Sequence, residues 1–235
     1  FDRFQPDRYR LSKIAATIRN AGSVNPNAVM YGRGPYEPED ITDSPLICEP
    51  FHLLDLCLAT EGASAVVITS LERARDCPHK PVKILSGSSE WYRQQYINPP
   101  RYDEVGDIGK DAFSRTFAAA GLKAIDIDIY ELYDINTWEV VRQFEVMGLC
   151  DEGEGVDFLH ENGIGSEQKF PTNTDGGLLS FSHIGWGGPT LKVVEAVKQL
   201  RGTAASGQVQ KPETALVTGA GSGAQYFNTA ILSVD

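Results

Sequence analysis

The stretch GLLSFSHIGWGGPT, residues 177–190, sets His183 among glycines and serines just ahead of an amphipathic run. Small neighbours let a second molecule come close to the imidazole. A helix beginning near Pro189 presents unpaired N–H groups and the positive end of its dipole, which can steady a developing oxyanion or thiolate. A histidine so placed is a candidate general base or oxyanion donor. The plainer alternative is an imidazole bonded to a turn carbonyl.

Two other stretches offer chemistry. In ELYDINTWEV (131–140) a strand hands over to a helix, the kind of junction that lines the crevice at the carboxyl ends of strands. Tyr133 could donate a proton or a hydrogen bond there, with Asp134 orienting it; alternatively Asp134 caps the helix and Tyr133 fills an edge of the core. In TGAGSGAQYFN (218–228) a strand, not a helix, is expected after the glycines, which argues against a dinucleotide site. Gly221 and Gly223 more simply make a tight turn whose backbone nears a ligand, with Tyr226 pointing into the same space. Cys57, in the apolar run LLDLCLA, and Cys150, before DEGEG, read as structural. Glu152 and Glu154 read as a solvated acidic loop.

These residues need elements to hold them. Apolar spacing predicts a helix over 7–22, with Leu11, Ile14, Ala15 and Ile18 inward and Gly22 closing it. A long Pro- and Gly-rich connection follows. Residues 51–60 read as a short buried helix, and 61–70 as a turn feeding a buried strand with Val66, Val67 and Ile68 at its centre. A polar helix (71–76), a strand (82–90) and an aromatic, Pro-rich loop (91–103) come next. Helices are expected over 109–122, ending at Gly121, and over 136–149, with Asn136 as N-cap. Between them 124–134 alternates as a strand, Ile125, Ile127 and Ile129 inward and Asp126 and Asp128 outward. The helix 188–202 carries an apolar stripe of Leu191, Val194, Val197 and Leu200. Residues 213–235 form a β-hairpin. Alternating strands and helices imply a layered α/β architecture.

The formal charge of -11 over 235 residues argues against nucleic acid as a partner. The first twenty residues, with Arg3, Arg8, Arg10, Lys13 and Arg19, run the other way; they suit either a phosphate-bearing ligand or a solvated helix face. No apolar run is long enough for a membrane span, and no signal-peptide pattern opens the chain. Its first residue is Phe1, so an upstream part is expected to be missing. Four cysteines without metal-ligand spacing argue against zinc and against a disulfide framework, and a reducing cytoplasm is expected.

The blocks resemble, in order, the C-terminal part of a thiolase. SPLICEPFHLLDLCLATEGASAVVITSLERARD is similar to the family's apolar "LLDC" run followed by "DGAAAVV" and a "SAERARDL" helix. AFSRTFAAAGLKAIDIDIYELYD resembles the approach to the family's Asn/Glu or His/Asp motif. EVMGLCDEGEG resembles the "GLC..G.G" loop of sterol-carrier-protein-type thiolases. NTDGGLLSFSHIGWGGPTLKVVEAVKQLRG resembles the block holding the Gly-His-Pro histidine. The resemblance spans about residues 8–235 and puts His183 on that histidine and Tyr133 and Asp134 on the His/Asp motif.

It implies acyl-coenzyme A chemistry in a thiolase-like layered αβαβα fold. The chain would hold a loop-domain remnant (1–55), the last strands of the N-terminal half with an aromatic loop (56–104) and the C-terminal half (105–235). The departures carry meaning: Gly-His-Pro reads SHIGW, and the turn that should hold a second cysteine reads GAGSGAQY. The pattern is nearer the lipid-transfer-protein-like branch of bacterial steroid degradation, whose members cleave β-hydroxyacyl-CoA esters by a retro-aldol step. There tyrosines replace the thiolase acid/base groups, which points to Tyr133 and Tyr226. His183 would then serve the enolate oxygen and a tyrosine the hydroxyl proton, with Ser182, Gly185, Gly187, Gly221 and Gly223 lining the path of the thioester. The resemblance implies coenzyme A thioester as substrate, no bound cofactor or metal, and a homodimer or a hetero-oligomer with a thiolase N-terminal half and a small OB-fold zinc-ribbon protein. A non-catalytic acyl-CoA-binding subunit is the competing expectation, and a plain scaffold at an oligomer interface a third.

Overall fold

The computed structural model describes residues 1–91, 106–221 and 226–234. The elements are, in order, α1 (Arg8–Val24), α2 (Pro38–Asp43), β1 (Leu46–Cys48), β2 (Phe51–His52), α3 (Leu71–Arg75), β3 (Lys83–Trp91), α4 (Lys110–Ala120), β4 (Ile129–Glu131), α5 (Thr137–Val146), α6 (Gly155–Asn162), α7 (Gly188–Arg201), β5 (Thr214–Gly221) and β6 (Tyr226–Ser233). β1 and β2 form a small hairpin; the main sheet has the order β3-β6-β5-β4. β5 and β6 are the expected hairpin, β3 adds antiparallel to β6, and β4 runs parallel to β5 with Ile129 opposite Ala215.

Successive residues of β5 point to opposite sides of the sheet. Leu216 and Ala220 join Phe113, Tyr130, Phe144 and Phe227 in the larger core, under α1, α4, α5 and α6. Ala215 and Val217 join Ile129, Ala196 and Leu200 in a smaller one under α7. One α/β/α sandwich results, with β4 buried on both faces. The helix ends follow the sequence signals: Asp7 and Asn136 cap α1 and α5 by accepting from Arg10 N and Glu139 N, and Gly121 and Gly202 end α4 and α7 in the left-handed region.

Several expectations are corrected. Residues 51–60 are not a helix. They form β2 and a single 3-10 turn and then run extended, because Cys57, Leu58 and Thr60 donate their amides to Ile135, Leu178 and His183; so short a helix has little stability of its own to set against such bonds. Residues 61–70 form no strand, and Val67 and Ile68 are 95% and 74% exposed, since no described strand lies beside them. The strand expected from 124 starts only at Ile129. Asp126 instead accepts from Lys123 N and closes a 3-10 turn that leaves Ile125 53% exposed, though Ile127 and Ile129 do point inward. α7 is turned by about one residue from its expected face: it buries Lys192, Glu195, Ala196 and Gln199 with Leu200, while Leu191, Val194 and Val197 are only half-buried. Most of the basic N-terminus is spent internally. Arg3, Arg8 and Arg10 pair with Glu152, Asp55 and Asp157, and Arg19 is buried against the Leu54 and Leu56 carbonyls, so the phosphate reading finds no free cluster.

Candidate active site

The site forms where the carboxyl end of β4, the 57–60 segment and the turn before α7 meet. From Gly177 to Phe181 the chain makes one wide π-type turn, then extends through Ser182 to His183. Gly176 and Gly177 both sit at positive φ, and a Cβ on Gly177 would overlap the Asp134 carboxylate, so only glycine fits there. Thr60 grips His183 at both main-chain ends: its amide donates to the His183 carbonyl and its hydroxyl accepts from His183 N, each at 3.1 Å.

The ring is held as firmly. Nδ1 of His183 lies 3.2 Å from the Leu58 carbonyl and 3.3 Å from Sγ of Cys57. A carbonyl only accepts, so the Leu58 bond calls for the proton on Nδ1, and the neutral ring then carries its lone pair on Nε2. Nε2 has no hydrogen-bond partner among the described residues. The ring borders an open hollow of about 500 Å³ shared with Ala59, Thr60, Glu61 and Gly185.

Tyr133 stands edge-on to the His183 ring, centroids 6.4 Å apart. Its backbone is clamped: Thr218 Oγ1 accepts from Tyr133 N and donates to Gln143 Oε1, while Gln143 Nε2 returns to the Tyr133 carbonyl. Burial pushes the Tyr133 hydroxyl well above the usual phenol range, and the neighbouring Cys57 and Tyr226 add to this, so it keeps its proton at neutral pH. Tyr226, at the start of β6, lies between two indoles, parallel to Trp186 at 6.2 Å and tilted to Trp91 at 5.1 Å. Trp186 is 80% exposed and belongs to the His183 turn.

The structure thus brings together His183, Tyr133, Tyr226 and, through Trp186, Gly185 and Gly187. Ser182 turns to Thr60, their hydroxyls 2.8 Å apart, and so braces the turn. Gly221 faces the Tyr226 hydroxyl, which occupies the space a Cβ would need. Gly223 lies outside the described residues, as do residues 92–103 of the aromatic loop. Asp134 neither orients the Tyr133 hydroxyl nor caps α5, whose N-cap is Asn136. It is completely buried, and its carboxylate accepts from Leu178 N at 2.9 Å and Leu179 N at 3.4 Å and pairs with Lys192 at 2.9 Å.

Sequence reading missed three participants. Cys57 is not merely structural filling, since it touches the imidazole. Thr60 and Lys192 gave no signal: a threonine in an irregular segment and a lysine on a helix both pass for surface residues. Only the resemblance, which aligns the 51–76 block with the family, could have drawn attention to the neighbourhood of Cys57.

Residues 105–234 match the family model described as thiolase C-terminal domain-like. The chain is 35% identical over 202 residues to the steroid side-chain-cleaving aldolase of Thermomonospora curvata, covering 81% of this chain and 49% of that protein. It is 36% identical over 218 residues to the 17-hydroxy-3-oxo-4-pregnene-20-carboxyl-CoA lyase of Mycobacterium tuberculosis, covering 89% and 54%. The chain spans about half the length of the curated relatives it matches. Among solved structures it superposes on a chain of the Ltp2-ChsH2(DUF35) aldolase with a TM-score of 0.83 and 30% identity, over 100% of this chain and 60% of that one. With that match over more than half its length, the chain belongs to the thiolase superfamily, in which residues 105–234 are its thiolase C-terminal-like domain.

Proposed function

We propose that this chain is the C-terminal portion of a thiolase-like carbon–carbon lyase acting on β-hydroxyacyl-CoA esters, with a lipid or steroid side chain as the acyl group. The carrying observation is His183, which borders an open hollow with its Nδ1 bound to the Leu58 carbonyl. In a retro-aldol cleavage the β-hydroxyl gives its proton to a base and the Cα–Cβ bond breaks as the β-carbon becomes a carbonyl. The bonding pair moves into the thioester as an enolate, which a proton at Cα then quenches. Nε2 of a neutral His183 carries the lone pair that accepts the hydroxyl proton. Tyr133, kept protonated by burial, donates to the thioester oxygen on which the enolate charge grows. This exchanges the two roles that resemblance alone implies, because the tautomer and the burial favour the exchange. Tyr226 remains a candidate second acid/base group beside Tyr133.

Acyl transfer by a thiolase route is less well supported. Burial raises the Cys57 thiol to about 11, so it is a poor nucleophile at neutral pH. The names of the relatives, an aldolase and a CoA lyase, favour cleavage over transfer. A companion thiolase N-terminal half is supported by the apolar surface at Val66, Val67 and Ile68, with Leu46 and Ile47 also exposed. An OB-fold zinc-ribbon partner is supported by the two-component title of the aldolase neighbour. The division at 55/56 and 104/105 belongs to the same proposal.

The test is to purify the intact particle this chain belongs to and incubate it with β-hydroxyacyl-CoA esters of graded size. Formation of a ketone together with a shortened acyl-CoA is expected. Tight binding of the esters without cleavage, every natural partner being present, would favour the acyl-CoA-binding subunit instead.

A further inference from the structure

Lys192 lies on α7, beside the end of β4, is buried, and does not line the hollow. Its Nζ is 2.9 Å from Oδ1 of Asp134 and 3.9 Å from Oε2 of Glu131. Burying an ammonium is costly even beside carboxyls, yet Leu191, Val193, Val194 and Val197 of the same helix stand half-buried while Lys192 takes the inside place. Glu131 is also fully buried, and neither of its oxygens has a hydrogen-bond partner among the described residues. Burial and the neighbouring Asp175 push its carboxyl well above the ordinary carboxylate range. Burial raises Asp134 too, but Lys192 and the Leu178 amide act against it there, and at 2.9 Å against 3.9 Å Asp134 is the nearer partner of Lys192.

From that pair an unbroken path of bonds leads to the imidazole. Oδ1 of Asp134 accepts from Leu178 N at 2.9 Å. The Leu178 carbonyl accepts from Leu58 N at 3.0 Å. The Leu58 carbonyl accepts from Nδ1 of His183 at 3.2 Å. The opposing influence is Cys57: its thiol, 3.3 Å from the same nitrogen, could donate to Nδ1 only if the proton moved to Nε2, which would abolish the lone pair on Nε2.

We propose that Lys192 and Asp134 are positioning residues that fix the Nδ1–H tautomer of His183 through Leu178 and Leu58, and so keep Nε2 a proton acceptor. This rests on the proposed function only in giving that acceptor a use. Without Lys192 the Asp134 carboxylate loses the cation that most offsets its burial, so its charged form is disfavoured and its hold on the Leu178 and Leu179 amides loosens. The turn relaxes, the Leu58 bond to Nδ1 weakens, and the Cys57 thiol competes for that nitrogen.

The experiment uses the full protein with any companion chain, labelled with ¹⁵N-histidine. Long-range proton–nitrogen spectra report the tautomer of each of the four histidines, and His183→Gln identifies the signal. The wild-type protein is expected to show Nδ1–H at His183. Lys192→Met, and Asp134→Asn should the first fail to fold, are expected to move His183 to a mixture containing the Nε2–H form. Cleavage should fall about tenfold in kcat with KM within about twofold, less than the roughly 10²–10⁴ a positioned base contributes, because part of the ring population keeps the productive tautomer. Cys57→Ala added to Lys192→Met should return the ring toward Nδ1–H, which a merely structural role of Lys192 would not produce. A folded variant whose His183 stays Nδ1–H overturns the proposal, whatever happens to kcat or to thermal stability. A tautomer shift in a protein that cleaves no CoA ester would uphold the positioning role and sink the proposed reaction.

Discussion

Cys57 Sγ and His183 Nδ1 are 3.3 Å apart, yet they are not an activated thiolate–imidazolium pair. A thiol becomes a strong nucleophile when its surroundings lower its pKa; here burial comes first and Asp134 second, and together they push Cys57 up to about 11. The contact shapes the histidine more than it arms the cysteine. In the folded protein at pH 8, Cys57 is expected to react with iodoacetamide far more slowly than the exposed Cys48 and Cys77, and Cys57→Ala should keep most of the cleavage activity. Peptide mapping after timed alkylation checks the first point; rapid labelling of Cys57 would restore it as a nucleophile.

Tyr133→Phe removes a phenol that burial keeps protonated while leaving the ring's packing against His183. Loss of one donor at a developing oxyanion costs about 10²–10³ in kcat, with a smaller change in KM. If Tyr133 only fills space, the variant should cleave at the wild-type rate.

Trp186 is expected to meet the acyl group, since it lies exposed and parallel to Tyr226 three residues beyond His183. Trp186→Ala should raise KM for bulky ring-bearing acyl esters several-fold, the scale of a lost aromatic contact of about 1 kcal/mol, and leave short straight-chain esters almost unaffected. Equal effects on both classes would show that the indole acts on the turn and not on the substrate.

Glu195 gives a prediction independent of any substrate. Burial and Asp175 raise its carboxyl from 4.5 to about 7. The folded protein then binds this proton more tightly than the unfolded chain. Its contribution is fully present below about pH 4.5 and is lost as pH rises through 7. Glu195→Gln should therefore match the wild type near pH 4.5 and be more stable at pH 8, by on the order of 2–3 kcal/mol. Urea unfolding at the two pH values measures the difference; a variant less stable at pH 8 would show that the charged form is the stabilising one.

The sequence carried the helices around the site well, because α1, α4 and α5 each have a one-sided apolar pattern and a recognisable cap or stop. The terminal hairpin was equally plain from two apolar runs flanking glycines. It carried the buried polar layer poorly. α7 has two usable faces, and periodicity favours the one with Leu191 and Val194; only the acids at the end of β4, distant in sequence, explain why Lys192 turns inward instead, while Glu195 on the same buried face accepts from Gln199 Nε2. The segment 61–70 failed for the opposite reason. Val66, Val67 and Ile68 do read as a core strand, but burial of such a run depends on neighbours that the described residues do not supply. At the site, His183 and Tyr133 stood out as candidates from residue type and position at element boundaries, whereas Thr60 and Cys57 reach the His183 main chain and ring from an extended segment with no periodic signature.

The most direct test is turnover of a β-hydroxyacyl-CoA ester by the intact particle carrying His183→Ala, measured against the unaltered protein. Removing a base and its ring from the edge of the hollow should lower kcat by about 10²–10³, with the ester still bound. Undiminished cleavage would mean that His183 is an ordinary histidine held in a turn, and that the chemistry lies elsewhere.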